Sequence, residues 1–324
     1  MALRCPGHMS MRGFSKDISM ARWTIADIPP QHGRTAVVTG TGGLGYEDAL
    51  ALARAGAAVI LAGRNPAKGA AAIARIRAAV PPATIRFEAL DLASLASVAT
   101  FAERLGGECE RIDLLVNNAG VMRPPRRLET ADGFELQLGT NYLGHFALTA
   151  RLMPLLAKGQ GARVVTLSSI AAGRGAVIHF DDLNARRRYD AMSWYSQSKL
   201  ACLMFALELD RRSAARGWGI ASLAAHPGLS RTDLIPNAPG PRTFTNTLFS
   251  ALRLLMQSPA QGALPTLYAA TDPGAQGGGY YGPDRLSETR GHPALAAVPA
   301  RALDQAACAR LWQISEELTG VGFG

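Results

Sequence analysis

The chain has 324 residues, 48% of them hydrophobic and only 18% charged, so it can bury a full core and does not read as a disordered segment. Lys and Arg total 34 against 25 Asp and Glu, a formal charge of +9, but the basic residues are scattered. The densest run, Arg186-Arg187-Arg188, follows Asp181 and Asp182 with no aromatic platform, so no nucleic-acid partner is expected.

Residues 1–32 read as an N-terminal extension without a signal-peptide apolar run, and Met20 is an alternative start. Thr35–Thr39 is a short buried strand, Glu47–Ala55 an Ala/Leu-rich helix ended by Gly56, and Ala58–Ala62 a second strand. Pro66–Val80 is a helix stopped by Pro81-Pro82. Thr84–Leu90, Asp113–Asn117, Arg163–Ser168 and Ile220–Ala225 continue the strands. Between them lie helical patterns at Ser94–Leu105, Phe134–Leu156 and Tyr195–Ala215. A helix over Ala260–Ala270 precedes a last strand near Gly279–Gly282, and Asp304–Leu318 is a closing helix. Short apolar strands spaced by helices predict βαβ units and a parallel sheet covered on both faces. Residues 33–290 therefore read as one doubly wound α/β domain of about seven strands, with a substrate lid at 229–258 and a helical tail at 291–324. No apolar run approaches the ~18 residues of a membrane span. Cys5, Cys109, Cys202 and Cys308 form no C-x-x-C pair and lie near no histidine at ligand spacing. Free thiols, a reducing cytoplasmic compartment and no metal are expected.

The chemistry-bearing motifs begin after the first strand. Gly40-Thr41-Gly42-Gly43-Leu44-Gly45 is G-x-G-x-x-G between a strand and a helix, which brings backbone N–H groups close to a pyrophosphate. About 20 residues later an acidic side chain would grip an adenosine ribose. That place reads Ala62-Gly63-Arg64-Asn65, and a guanidinium there suits a 2′-phosphate, favouring NADP(H) over NAD(H). Tyr195 and Lys199 share a helix face, and a nearby ammonium stabilises a phenolate, which makes a tyrosine usable as an acid–base group. His145 and His226 lack metal-ligand partners and read as packed histidines, and no G-x-S-x-G elbow accompanies Ser196 or Ser198.

In order come Thr39-Gly40 with the glycine loop, Asp91, Asn117-Asn118-Ala119-Gly120, Asn141, Ser168-Ser169, Tyr195-x-x-x-Lys199 and Pro227-Gly228. With this succession the sequence over residues 33–290 resembles the short-chain dehydrogenase/reductase family and its Rossmann fold. The stretches NYLGHFALT, SWYSQSKLA and AAHPGLSRTDL resemble its retinol-dehydrogenase-like and protochlorophyllide-reductase-like branch. The resemblance implies that Tyr195 is the general acid, that Lys199 holds the nicotinamide ribose and stabilises the phenolate, and that Ser169 bonds the substrate oxygen. Asn141 would support Lys199 through a water. Asn117, Ala119 and Gly120 would line the cofactor, Asp91 and Leu92 would meet adenine, and Pro227, Gly228 and Thr232 would hold the carboxamide. The implied function is reversible hydride transfer between NADP(H) and a carbonyl or alcohol carbon of a hydrophobic small molecule. An NAD-linked alcohol dehydrogenase, a carbon–carbon double-bond reductase and a catalytically silent dinucleotide sensor are the alternatives.

The sequence departs from the family pattern in three ways: no membrane-anchor run accompanies the retinol-dehydrogenase-like stretches, which argues against a membrane-lipid substrate, and two spacings differ. The loop is one residue shorter than T-G-x-x-x-G-x-G, and Ser169 and Tyr195 stand 26 apart, so the additional FDDLNARRRYDAMSW segment would rim the substrate pocket. Leu234, Ile235, Phe244, Leu248 and Phe249 suggest an apolar pocket under an amphipathic lid at Thr245–Met256. Leu203 and Leu207 face away from the sheet-covering side of their helix; family members often pair this helix across a two-fold axis, so a homodimer or homotetramer is expected.

Overall fold

Runs such as Ala58–Gly63, AVILAG, carry apolar side chains at every position, as strands buried on both faces require. The computed structural model describes residues 22–173, 175–231 and 256–323. Its strands are β1 (Thr35–Thr39), β2 (Ala58–Gly63), β3 (Ile85–Ala89), β4 (Leu114–Asn117), β5 (Arg163–Leu167), β6 (Ala221–Ala225), β7 (Tyr280–Arg285) and β8 (Arg290–Leu295). They form one sheet in the order β3-β2-β1-β4-β5-β6-β7-β8. Every pair is parallel except β7–β8, which is antiparallel. The sheet thus has one strand more than expected. Arg290–Leu295, RGHPAL, has no apolar alternation, and Pro293 is tolerated because β8 is an edge strand.

The helices are α1 (Gly43–Arg54), α2 (Pro66–Ala79), α3 (Leu95–Glu108), α4 (Gly144–Leu156), α5 (Ala191–Arg216), α6 (Pro259–Thr271) and α7 (Gln305–Thr319). Alternate strand residues enter two cores. Val38 and Leu61 pack with residues of α1, α2 and α6. Val37 and Ile60 pack with α3, α4, α5 and α7. Several helix starts follow from a capping side chain: Asn65 accepts from the Lys68 N–H, Ser94 from Ser97 and Asp190 from Ser193. The Asp190 cap starts α5 four residues before Tyr195, so Tyr195 and Lys199 occupy its second and third turns rather than its first. The long helical stretch before β5 is also divided: Leu138–Leu143 is a wide π turn, and α4 follows it.

The C-terminal helix alters the expectation for α5. Trp312 of α7 packs against Phe205 of α5 and Phe146 of α4, with centroids 5.8 and 5.2 Å apart. Phe323 joins the cluster, and Tyr142 Oη lies 2.6 Å from Ser315 Oγ. Leu203 is fully buried within its own chain and Leu207 is half-buried. The leucine expected to need a second copy is already covered. At the other end, Trp23 donates from Nε1 to Asp272 at 2.8 Å and meets the Tyr268 ring edge-on, fastening the segment before β1 to α6.

Candidate functional site

The connections leave β1 towards β2 on one side and reach β4 on the other, so a crevice opens at the carboxyl ends of these strands. A cavity of about 700 Å³ lies there. Gly40, Gly42, Gly43 and Leu44 form one wall. No side chain caps α1, whose N-cap is Gly42, so its first-turn N–H groups face the place where an anion would sit. Gly45 is not on the wall. A Cβ there would run into the Gly40 carbonyl and the Asn118 amide, so this glycine lets the shortened loop close against β4. Arg64, Asn65, Asp91 and Leu92 also line the cavity.

A Cβ at Gly63 would stand 2.8 Å from the Thr41 Cγ2 methyl, so a side chain ending β2 would require Thr41 to turn aside. Lys68 and Arg75 of α2 line the same cavity as Arg64. Sequence reading missed both, although Lys68 stands one helical turn beyond Arg64. Arg75 also lies 4.1 Å over the Tyr46 ring of α1.

On the β4 side, Ala119 and Gly120 line the cavity but Asn117 does not. The Asn117 amide is buried and donates to Thr149 Oγ1 at 3.1 Å and Thr166 Oγ1 at 3.4 Å, tying β4 to α4 and β5. Asn118 reaches the wall instead and donates to the Thr39 carbonyl at 2.6 Å. Thr39 Oγ1 accepts from the N–H groups of Asn118 and Ala119, both at 2.9 Å, and lies 2.9 Å from His145 Nε2. His145 Nδ1 contacts the Asn141 carbonyl at 2.9 Å, which requires the proton on Nδ1 and leaves Nε2 to accept from Thr39. Burial pushes this histidine down to about 4, so it stays neutral at physiological pH.

Asn141 sits in the π turn. Its side chain accepts from the Val121 N–H at 2.7 Å and donates to the Val121 carbonyl and Ser198 Oγ, both at 3.0 Å. Its carbonyl also receives Cys202 Sγ at 3.2 Å besides His145. Asn141 therefore clamps the Gly120–Val121 wall, a role beyond the expected water link to Lys199. The Lys199 ammonium donates to the Leu167 carbonyl at 2.9 Å and stands 3.7 Å from the Cβ position of Gly120, at the cavity wall. Ser168 Oγ donates to the Lys199 carbonyl at 2.8 Å and fastens β5 to α5. Ser169 follows, its hydroxyl accepting from the Ala171 N–H at 3.2 Å. Tyr195, one turn before Lys199, is 7% exposed.

The additional segment packs back beside this site. Tyr189 donates to the Pro124 carbonyl at 3.0 Å, Arg127 to the Asn184 carbonyl at 2.8 Å, and Trp194 stacks on His179 at 5.1 Å. Pro227 and Gly228 close the carboxyl end of β6. Thr232, Leu234, Ile235, Phe244, Leu248 and Phe249 lie outside the described residues, as does most of the expected lid.

These residues fit a dinucleotide. The uncapped helix end suits a pyrophosphate, and Thr140 Oγ1, buried and without a partner among the described residues, lies on the cavity wall. Among the described residues no group of His, Cys, Asp and Glu has the arrangement of a metal centre, and no helix is long and apolar enough to cross a membrane.

The sequence model of the short chain dehydrogenase family matches residues 34–240. Polyprenol dehydrogenase of Mus musculus is 43% identical over 303 residues, covering 92% of this chain and 87% of that protein. Retinol dehydrogenase 13 of Homo sapiens is 40% identical over 302 residues, covering 91% and 86%. A crystal structure of an uncharacterized protein from Mycobacterium paratuberculosis superposes with a TM-score of 0.77 at 39% identity, covering 94% of this chain and all of that one.

Proposed function

We propose that this chain, which belongs to the short-chain dehydrogenase family and its retinol-dehydrogenase-like branch, is an NADP(H)-dependent oxidoreductase acting on the carbonyl or alcohol carbon of an apolar small molecule. Family membership carries the hydride-transfer chemistry and a nicotinamide dinucleotide. The observation that carries this reading further is the placement of Lys199: its ammonium stands against Gly120 of the cavity wall and bonds the Leu167 carbonyl at the end of β5, on a helix that carries Tyr195 one turn earlier.

When bound, the dinucleotide supplies or accepts the hydride. The chain's own residues handle the proton and the substrate oxygen. In reduction, Tyr195 donates its phenolic proton to the carbonyl oxygen as negative charge develops there. Ser169 donates a hydrogen bond to the same oxygen and favours that charge. Lys199 stabilises the resulting phenolate and binds the ribose hydroxyls. Asn141 holds the wall along which the nicotinamide ribose would lie.

The preference for NADP(H) is supported by Arg64, Lys68 and Arg75 on the cavity wall and by a glycine rather than a carboxylate at position 63. The relatives named for retinol and polyprenol support a long apolar alcohol or its aldehyde as the substrate class. Free thiols at Cys109, Cys202 and Cys308 support a reducing, cytoplasmic setting. The test is consumption of NADPH and NADH with a panel of short, aromatic and long-chain aldehydes. NADPH-linked turnover favouring the long apolar members is expected; equal rates with both cofactors would remove the NADP assignment, and no carbonyl loss would remove the reductase assignment.

A further inference from the structure

The β7–β8 turn holds an unusual backbone. Leu286, Ser287 and Glu288 are consecutive and have φ of +49°, +52° and +61°, a region that side-chain-bearing residues rarely enter. Bonds at both ends maintain it. Thr289 donates from N to the Arg285 carbonyl at 3.1 Å and from Oγ1 to the Leu286 carbonyl at 2.8 Å. Glu288 reaches out of the turn with both oxygens: Oε1 accepts from the Ala297 N–H at 2.8 Å, and Oε2 lies 3.1 Å from His226 Nε2.

His226 is fully buried, with the Tyr280 ring 5.1 Å away. Its other nitrogen, Nδ1, accepts from the Gly228 N–H at 3.2 Å. That bond requires an unprotonated Nδ1, so the ring proton is on Nε2 and points at Glu288. The opposite tautomer would set a ring N–H against a backbone N–H. The turn also covers the same loop directly: the Thr289 carbonyl accepts from the Leu229 N–H at 2.8 Å. From the same hairpin, Tyr280 donates to the Ser169 carbonyl at 3.3 Å.

We infer that Glu288 and His226 are positioning residues: the Glu288 carboxylate selects the His226 tautomer that holds the Gly228 amide, and thereby sets the loop after β6 for the nicotinamide end of the dinucleotide. The inference rests on the dehydrogenase reading for what the loop meets, but not for how the loop is held. Neither residue touches the reacting atoms. The three left-handed residues place a carboxylate against a buried ring that β6 alone leaves without a proton acceptor. This is the logic of a carboxylate fixing a histidine's tautomer, applied here to a backbone amide.

The experiment compares Glu288→Ala and Glu288→Gln with the unmodified chain. Hydrogen exchange is followed over residues 226–231 in protein without dinucleotide. Fluorescence of bound NADPH or NADH, affinity for 2′,5′-ADP and ADP-ribose, and turnover are followed in its presence. In Glu288→Ala the Gly228 and Leu229 amides should exchange at least ten-fold faster while β1 and β5 keep their protection. The nicotinamide fluorescence change should fall by half or more, kcat should fall about ten-fold, and affinity for the nicotinamide-free fragments should stay within two-fold. Glu288→Gln keeps one oxygen, enough for Nε2–H or for the Ala297 N–H but not for both, and should lose clearly less than Glu288→Ala in every measurement. Unmodified exchange at Gly228 and Leu229 in Glu288→Ala, or equal losses in the two variants, would overturn the inference. If the unmodified chain binds no dinucleotide, the dehydrogenase reading fails, and the exchange comparison still decides whether the pair holds the loop. Should Glu288→Ala not fold, Glu288→Asp, which withdraws the carboxylate by one methylene, takes its place in the exchange measurement: faster exchange at Gly228 and Leu229 supports the inference and unmodified exchange overturns it.

Discussion

With Tyr195 proposed as the acid, its hydroxyl is the group whose loss should most affect chemistry. Tyr195→Phe is expected to lower kcat by about three orders of magnitude while the dissociation constant of NADPH changes less than about three-fold, because only a transition-state interaction is removed. Stopped-flow turnover beside fluorescence titration checks this; a Phe variant with most of its kcat intact would exclude Tyr195 as the acid. At the adenosine end, Arg64 and Lys68 line one cavity wall. A charge-assisted bond to a phosphate contributes roughly 1.5–3 kcal/mol, and solvent access should reduce this. Arg64→Ala should therefore weaken NADPH by about ten-fold and Lys68→Ala by somewhat less, with NADH nearly unaffected in both. Equal weakening of the two cofactors would mean that these side chains hold the loop rather than the 2′-phosphate.

The glycine loop and α1 form one functional element, and its helix contains a buried group that the cofactor site does not explain. Asp48 is fully buried and neither oxygen has a hydrogen-bond partner among the described residues. Desolvation, followed by the nearby Glu47 charge, raises its carboxyl well above the ordinary 3.8. The folded chain thus holds a proton here that the unfolded chain has released above that pH. By linkage, stability from this site is full below the unfolded value and declines as pH rises through the folded one. Asp48→Asn should stabilise the chain at neutral pH by roughly 1–3 kcal/mol, seen as a rise of a few degrees in Tm. The gain should shrink towards zero near pH 4 or below, and a pH-independent gain would show that ionisation is not its origin. The same element limits cofactor redesign. Gly63→Asp has the charge that would suit NAD, but its Cβ meets Thr41 2.8 Å away. We expect it to weaken both cofactors in titration, with preference moving towards NADH only after Thr41→Gly opens the loop.

For the whole molecule, α7 decides how the apolar side of α4 and α5 is closed. Trp312 and Phe323 cover Phe146 and Phe205, and Arg212 lies 4.4 Å over the Trp312 ring while also pairing with Glu208. A second copy cannot use this face without displacing the chain's own tail. Light scattering of the full chain at micromolar concentration separates the expected homodimer or homotetramer from a species of 34.2 kDa. A species of twice that mass would require pairing through another surface. Removal of residues 304–324 should expose the aromatic cluster and cause association or loss of cooperative unfolding.

Local pattern by itself determined much of this protein. Five- and six-residue apolar runs separated by capped helices specify parallel strands, because only a strand covered on both faces can be apolar throughout. The glycine loop and the Tyr195–Lys199 spacing were likewise legible, since each is a short-range geometry of one turn or one helix face. Contacts between distant segments were not. The edge strand β8 forms because a hairpin and β7 present it with partners, although RGHPAL has no strand periodicity of its own. Asn117, expected at the cofactor, turns instead into α4 and β5, and Asn118, given no role by the sequence, reaches the cavity wall. Lys68 and Arg75 become cavity residues through the packing of α2 beside the loop. The self-coverage of Leu203, the occupied Asn141 carbonyl and the Glu288–His226–Gly228 chain all join residues remote in sequence. Side-chain periodicity records which face is buried; only tertiary packing determines what meets it.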